Sequence, residues 1–220
     1  MAVKANLKVP TNSGTCSSTS QVGFWIGLGG TGGQYDPWNL VQQGIECGTT
    51  AVGSGPYYRP FTEFVAPDAN GDPIDPVAFC GYGNWILDAT HVIYQNMSFQ
   101  TSQNKAFFYL EDQNSGVAHS CSATGPSGFH WDLNTAEWIG EAPGLGHPIN
   151  FGGVNFTNAR AELYSNSTWV TLGSQSHTEV IHGSGLVGGH LYVCIDPGAI
   201  SGGTAFLDDW VSSTCYAPGG

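Results

Sequence analysis

Glu137 and Glu141 fall in one ten-residue stretch, NTAEWIGEAP, Asn134–Pro143, beside Trp138 and Ile139. The chain has only 17 acidic side chains in 220 residues, so two carboxylates against apolar neighbours raise a question of purpose. A carboxylate held by rigid neighbours can take a proton from water and deliver it to a leaving group. It can equally be the solvent-facing residue of an ordinary strand, and residue type alone favours that plainer reading.

Other chemical signatures are weaker. Gly27–Gly32 and Gly183–Gly188 match G-x-G-x-x-G, but neither precedes the helical pattern that a dinucleotide site requires. With 32 glycines, such matches are expected by chance. The histidines His91, His119, His130, His147, His177, His182 and His190 form no H-x-x-x-H or compact H-x-H pair, so no metal or other cofactor is expected. There is no G-x-S-x-G elbow and no pair of D-T/S-G motifs. Asp208-Asp209 reads as a solvated turn.

Composition narrows the partners. The formal charge is -12, with five Lys and Arg, which argues against a nucleic-acid or anionic-membrane partner. Few lysines also leave few cations to repel one another once carboxylates protonate, so the chain reads as tolerant of acid. No stretch approaches the ~20 apolar residues that cross a bilayer. MAVKANLKVP has no apolar signal-peptide core. Six cysteines, Cys16, Cys47, Cys80, Cys121, Cys194 and Cys215, are spread along the chain with no CxxC pair. An even count of this kind suits disulfides in an oxidising compartment, and the pairing stays open. Sequons at Asn96, Asn155 and Asn166 add weak support for secretion.

The elements that would position any site are strands. Strand signals cover Val22–Leu28, Asn84–Leu87, His91–Tyr94, Ala106–Leu110, Gly153–Phe156, Thr168–Leu172 and Leu191–Ile195. Gly, Pro, Asn and Asp punctuate the gaps, and Pro67–Pro76 reads as a surface loop. No amphipathic helix longer than two turns stands out. The expectation is an all-β, antiparallel β-sandwich of two packed sheets, forming one domain over residues 1–220. A monomer is expected.

Five motifs in order carry a resemblance. They are Trp25-Ile26-Gly27-Leu28-Gly29-Gly30, Val41-Gln42-Gln43-Gly44-Ile45-Glu46, the aromatic segment Tyr58–Pro67, Thr135-Ala136-Glu137-Trp138-Ile139-Gly140-Glu141, and Phe151-Gly152-Gly153-Val154-Asn155-Phe156-Thr157. Together they resemble the glutamic peptidases, or eqolisins, over roughly Val3 to Thr157. The resemblance implies a concanavalin-like sandwich with a substrate groove on its concave face. It also implies hydrolysis of polypeptides in acid by a Gln/Glu dyad, in a secreted protein whose action pepstatin does not block.

By the same resemblance, Glu137 is the catalytic glutamate and Gln42 its oxyanion-stabilising partner. Trp25, Phe61 and Glu63 become groove residues for substrate. A glutamate with an ordinary pKa of about 4.3 would serve as base in mild acid without a large shift. Adjacent strand residues point to opposite faces, so only one of Gln42 and Gln43 can line the groove. The family pattern favours Gln42, with Gln43 as fallback. The chain departs from the family where Gly29 replaces an aspartate, where the loop from Trp25 to Gln42 is long, and where the aromatic run thins to Phe61-Thr62-Glu63-Phe64. The rival reading is a non-catalytic, lectin-like sandwich that stacks sugars on Trp38, Trp131, Trp169 and Trp210.

Overall fold

Val3, Ala5 and Leu7 are buried, while Lys4 and Asn6 are half-buried and Lys8 is exposed. That period of two marks a strand with one wet face. The same alternation recurs along most of the chain, and it builds two layers. In this computed structural model the described residues are 1–12, 16, 21–29, 39–47, 57–65, 77–78, 80–126, 135–141, 149–162, 167–175, 186–187, 190–191 and 195–210.

The broad sheet runs β14 (Ile195–Pro197), β15 (Phe206–Trp210), β10 (Gly153–Glu162), β1 (Ala2–Lys8), β6 (Val92–Gln100), β7 (Lys105–Asp112) and β8 (Val117–Thr124), and β11 (Trp169–Thr171) also pairs with β10. The narrower sheet runs β5 (Val77–Ala78), β4 (Arg59–Val65), β3 (Leu40–Cys47), β2 (Val22–Gly29) and β9 (Ala136–Glu141). A small separate ribbon pairs β12 (Leu186–Val187) with β13 (His190–Leu191). Pairing is antiparallel in both large sheets.

The core lies between the two sheets. Phe24, Ile26, Leu28, Val41, Ile45 and Phe64 of the narrow sheet meet Val3, Leu7, Ile93, Met97, Phe108 and Phe156 of the broad one. Phe24 packs edge-on against Phe151 at 4.8 Å, and Phe64 sits edge-on to Phe99 and Phe108. Such edge-to-face pairs add to the gain from burial alone. Two polar ties also cross the gap. Trp138 Nε1 donates to the Lys4 carbonyl at 3.2 Å, and Gln43 Nε2 donates to the Tyr109 carbonyl at 2.8 Å.

Two disulfides close the edges. Cys16–Cys47 holds the first loop to the end of β3, and Cys80–Cys121 ties the segment after β5 to β8 of the other sheet. Cys194 and Cys215 lie outside the described residues, as do the Pro67–Pro76 loop, Gly30–Gly32, Asn166, Trp38, Trp131, His130, His147, His177 and His182.

Several strand expectations need correction. Asn84–Leu87 is not a strand: Gly83 takes φ +61°, the chain turns, and only Leu87 bridges to Tyr58. Its aromatic content serves a surface cluster, with Trp85 against His119 at 4.7 Å. Asp208-Asp209 is no solvated turn either. Both residues lie in β15, and Asp208 is buried beside Gly140. The strands begun by His91–Tyr94 and Gly153–Phe156 run on to Gln100 and Glu162.

Candidate active site

The narrow sheet turns one face to the core and the other outward. Period two assigns the residues. Phe24, Ile26, Val41, Gln43, Ile45, Thr62 and Phe64 point inward. Trp25, Gly27, Gln42, Gly44, Phe61, Glu63, Glu137 and Ile139 take the outer face.

Register then aligns them in rows across the strands. Gly27 of β2 pairs with Glu137 of β9 on one side and with Gln42 of β3 on the other, and Gln42 pairs onward with Glu63 of β4. The next row on that face is Ile139, Trp25, Gly44 and Phe61. The third is Glu141, Gly23, Glu46 and Arg59. All five expected site residues therefore share one face, on two neighbouring rows. Gln43 does not. It is fully buried on the opposite face, bonded to Tyr109.

Glycine makes the space. A Cβ on Gly27 would meet Trp25 Cζ3 at 2.7 Å and Leu40 Cδ1 at 2.9 Å, so the Trp25 ring lies over the glycine between Gln42 and Glu137. A Cβ on Gly44 would strike the Phe24 carbonyl and Trp25 Cβ. Bare backbone at these two positions lets a buried tryptophan floor the site.

The electrostatics differ from those of an ordinary surface carboxylate. Burial pushes the Glu137 pKa up to about 7, with help from the charge of Glu141. Burial also raises Glu63 to about 7; the hydrogen bond from Gln42 pulls it down, while Glu46 and Glu141 push it up. Glu141 is raised by burial as well, and the nearby Trp25 indole pulls it back in part. That indole N–H reaches toward Glu141 without closing a bond of normal geometry. The unshifted pKa expected from residue type is thus corrected. Desolvation and clustered like charge favour the neutral acids.

Gln42 Nε2 donates to Glu63 Oε1, and Gln42 Oε1 is buried with no partner. Glu141 and Glu46 had no assigned role in the sequence reading. Period two from Glu137 and Gln42 is the signal that places them on the same face. Among the described residues no cluster of three or more His, Cys, Asp or Glu is arranged to hold a metal ion.

Of the four tryptophans of a possible sugar platform, Trp38 and Trp131 lie outside the described residues. Trp169 lies under the Lys4 ammonium, and Trp210 packs against the core.

The comparisons agree with this architecture. The model of the Peptidase A4 family matches residues 1–187. No curated protein matches the chain by sequence. Scytalido-glutamic peptidase, solved with a transition-state analog inhibitor, superposes with a TM-score of 0.63 at 20% identity, covering 96% of this chain and 92% of that one. Aspergilloglutamic peptidase from Aspergillus niger gives 0.60 at 17% identity, over 87% of this chain and 99% of that one. SCP-B, an eqolisin solved with the tripeptide Ala-Ile-His, gives 0.58 at 18% identity. At such identities the structures speak for the fold, and the family match speaks for the chemistry. The chain belongs to the Peptidase A4 family, the glutamic peptidases, and is a peptide-bond hydrolase rather than a binding module.

Proposed function

We propose that the chain is an endopeptidase that cleaves polypeptides in weakly acidic solution, with Glu137 and Gln42 as its reacting pair. The observation that carries this reading is the shared row: glutamate and glutamine flank a glycine whose place is floored by Trp25. Strands lie about 4.8 Å apart, so the two reacting residues stand about 10 Å apart at the backbone. Their side chains can converge on a substrate carbonyl and a water between them.

Ionised Glu137 takes a proton from water as the water oxygen bonds to the scissile carbonyl carbon. The carbonyl electron pair moves to its oxygen, and a Gln42 N–H steadies that anion. The carbonyl then re-forms and the C–N bond breaks, its electron pair staying with nitrogen. Glu137 returns its proton to that nitrogen. The products are a carboxylic acid and an amine, and Glu137 is ionised again. With a pKa near 7, Glu137 is a stronger base than an exposed glutamate but needs a less acid solution to be ionised. Trp25 and Phe61 wall the substrate side. The disulfides suit a secreted protein acting as one domain.

The test is digestion of an unfolded protein from pH 3 to 8 with pepstatin present, beside a folded Glu137→Gln variant. Cleavage that rises toward weakly acidic pH and vanishes in the variant supports the assignment. Equal cleavage by both proteins removes Glu137 from the reaction.

A further inference from the structure

We propose that Glu63 is a positioning residue whose protonation decides which end of the Gln42 amide faces the substrate. This rests on the reading of Gln42 as the oxyanion donor.

The geometry starts from the β3–β4 pair, where Gln42 and Glu63 stand directly opposite each other. Gln42 Nε2 is engaged by Glu63 Oε1, and Gln42 Oε1 is left buried without a partner. In that arrangement one of the two amide N–H donors is spent on Glu63, and the carbonyl oxygen is the end left without a partner. A carbonyl oxygen repels an oxyanion.

An ionised carboxylate only accepts hydrogen bonds, so it can hold Gln42 only by the nitrogen. A protonated carboxyl also carries an O–H donor. Given to Gln42 Oε1, that donor satisfies the orphan oxygen and turns the amide over. The terminal torsion of glutamine is broad and roughly two-fold, so the turn needs no backbone movement. Nε2 then points into the groove as the donor the reaction needs.

The surroundings favour the protonated form. The charged groups on this face, among the described residues, are Glu46 on β3, Arg59 on β4, and Glu137 and Glu141 on β9. β2 adds no charge there, only Gly23, Trp25, Gly27 and Gly29. Burial, Glu46 and Glu141 all raise Glu63, with Gln42 as the opposing influence. On this proposal the competent form is the one that carries a proton on Glu63 while Glu137 is ionised. Glu137 sets the acid limit of activity, and Glu63 sets the alkaline limit.

Two readouts test this on the full chain. In ¹⁵N-labelled protein the Gln42 side-chain amide, assigned by its loss in Gln42→Ala, is followed by NMR from pH 4 to 9. It should shift with the same apparent pKa as the Glu63 carboxyl carbon, and it should stop titrating in Glu63→Gln. In peptide hydrolysis, wild-type kcat/KM should fall about tenfold per pH unit above that pKa. Glu63→Gln should lose the alkaline limb, its kcat/KM no longer falling across that range. An amide signal that ignores the Glu63 titration, or an alkaline limb unchanged in folded Glu63→Gln, overturns the proposal. If Glu63→Gln does not fold, the wild-type amide titration alone decides. Absence of hydrolysis at every pH would sink the peptidase chemistry of this site, while the amide titration would still judge the switch.

Discussion

Gln42 and Glu137 occupy the same row on either side of β2, and Gly27 is the one residue between them. No side chain rises from that middle position. The Trp25 ring reaches over it from the adjoining row. The separation of the pair is therefore fixed by hydrogen-bonded strands and not by a loop, which is the rigid placement catalysis rewards.

Replacing Gln42 by Ala should lower kcat by about 10²–10³, the usual cost of losing one oxyanion donor. Gln43→Leu should leave kcat/KM within about threefold, because Gln43 bonds Tyr109 in the core, and should change stability by only about 1 kcal/mol. Steady-state kinetics and denaturant melts on both variants check this. A dead Gln43→Leu beside an active Gln42→Ala would reverse the assignment.

Gly27→Ala should fold but displace Trp25 and Leu40, whose side-chain ends are what the new Cβ meets. Overpacking of this kind costs about 1–3 kcal/mol. The expected readout is a changed tryptophan emission with a drop in kcat/KM of about tenfold or more. Gly44→Ala should be far worse, since the obstruction includes the Phe24 backbone carbonyl. Comparable melting temperatures for the two variants would contradict that difference.

Stability should decline as pH rises from about 4 toward 8. Glu63 and Glu137 have folded pKa values near 7 and Glu141 is raised, so the native state holds these protons more tightly than the unfolded chain. Their contribution is complete below the unfolded value of about 4.3 and is lost as pH passes the folded values. Asp112 works in the other direction. Burial raises its pKa, but hydrogen bonds from Ser115, His91 and the loop amides outweigh that and hold it low. Its contribution fades only as strong acid protonates it. Melting temperatures at constant ionic strength should peak near pH 4–5. The decline should flatten in a Glu63→Gln, Glu137→Gln double variant. A melting temperature that climbs from pH 5 to 8 would count against these shifts.

Replacing Cys80 and Cys121 by Ser should cost about 4 kcal/mol, from the 41-residue separation they close. Urea unfolding of the variant measures it. A loss below about 1 kcal/mol would mean that the contacts around Thr62 and Trp85 hold this edge unaided.

Much of this fold was legible where side chains alternate or aromatics cluster. Val22–Leu28 and Ala106–Leu110 sit inside β2 and β7. β1 alternates as clearly, at Val3, Ala5 and Leu7, but its small and charged residues gave no aromatic signal. β8 is worse still: VAHSCSAT lies at the sheet edge, mostly exposed, with little for burial to select. Asn84–Leu87 misled because Trp85 and Ile86 look like strand residues while Gly83 and Asn84 make a turn. At the candidate site, motif order singled out Gln42, Glu63 and Glu137 as expected site residues. What no motif carried was their alignment on one row, which depends on pairings between strands far apart in sequence. The raised carboxyl pKa values were hidden for the same reason, since burial is a property of the assembled face.

β9 joins β2 across more than a hundred intervening residues, and β1 lies between β6 and β10 at similar remove. β2, β3 and β4 can form their meander early, so Gln42 can be in place while Glu137 is still being synthesised. Long-range pairing of this kind closes slowly. On the proposed pairing of Gln42 with Glu137, hydrolytic competence is withheld until the ribosome has passed Glu141 and β9 has docked, and a shorter nascent chain carries only half of the pair.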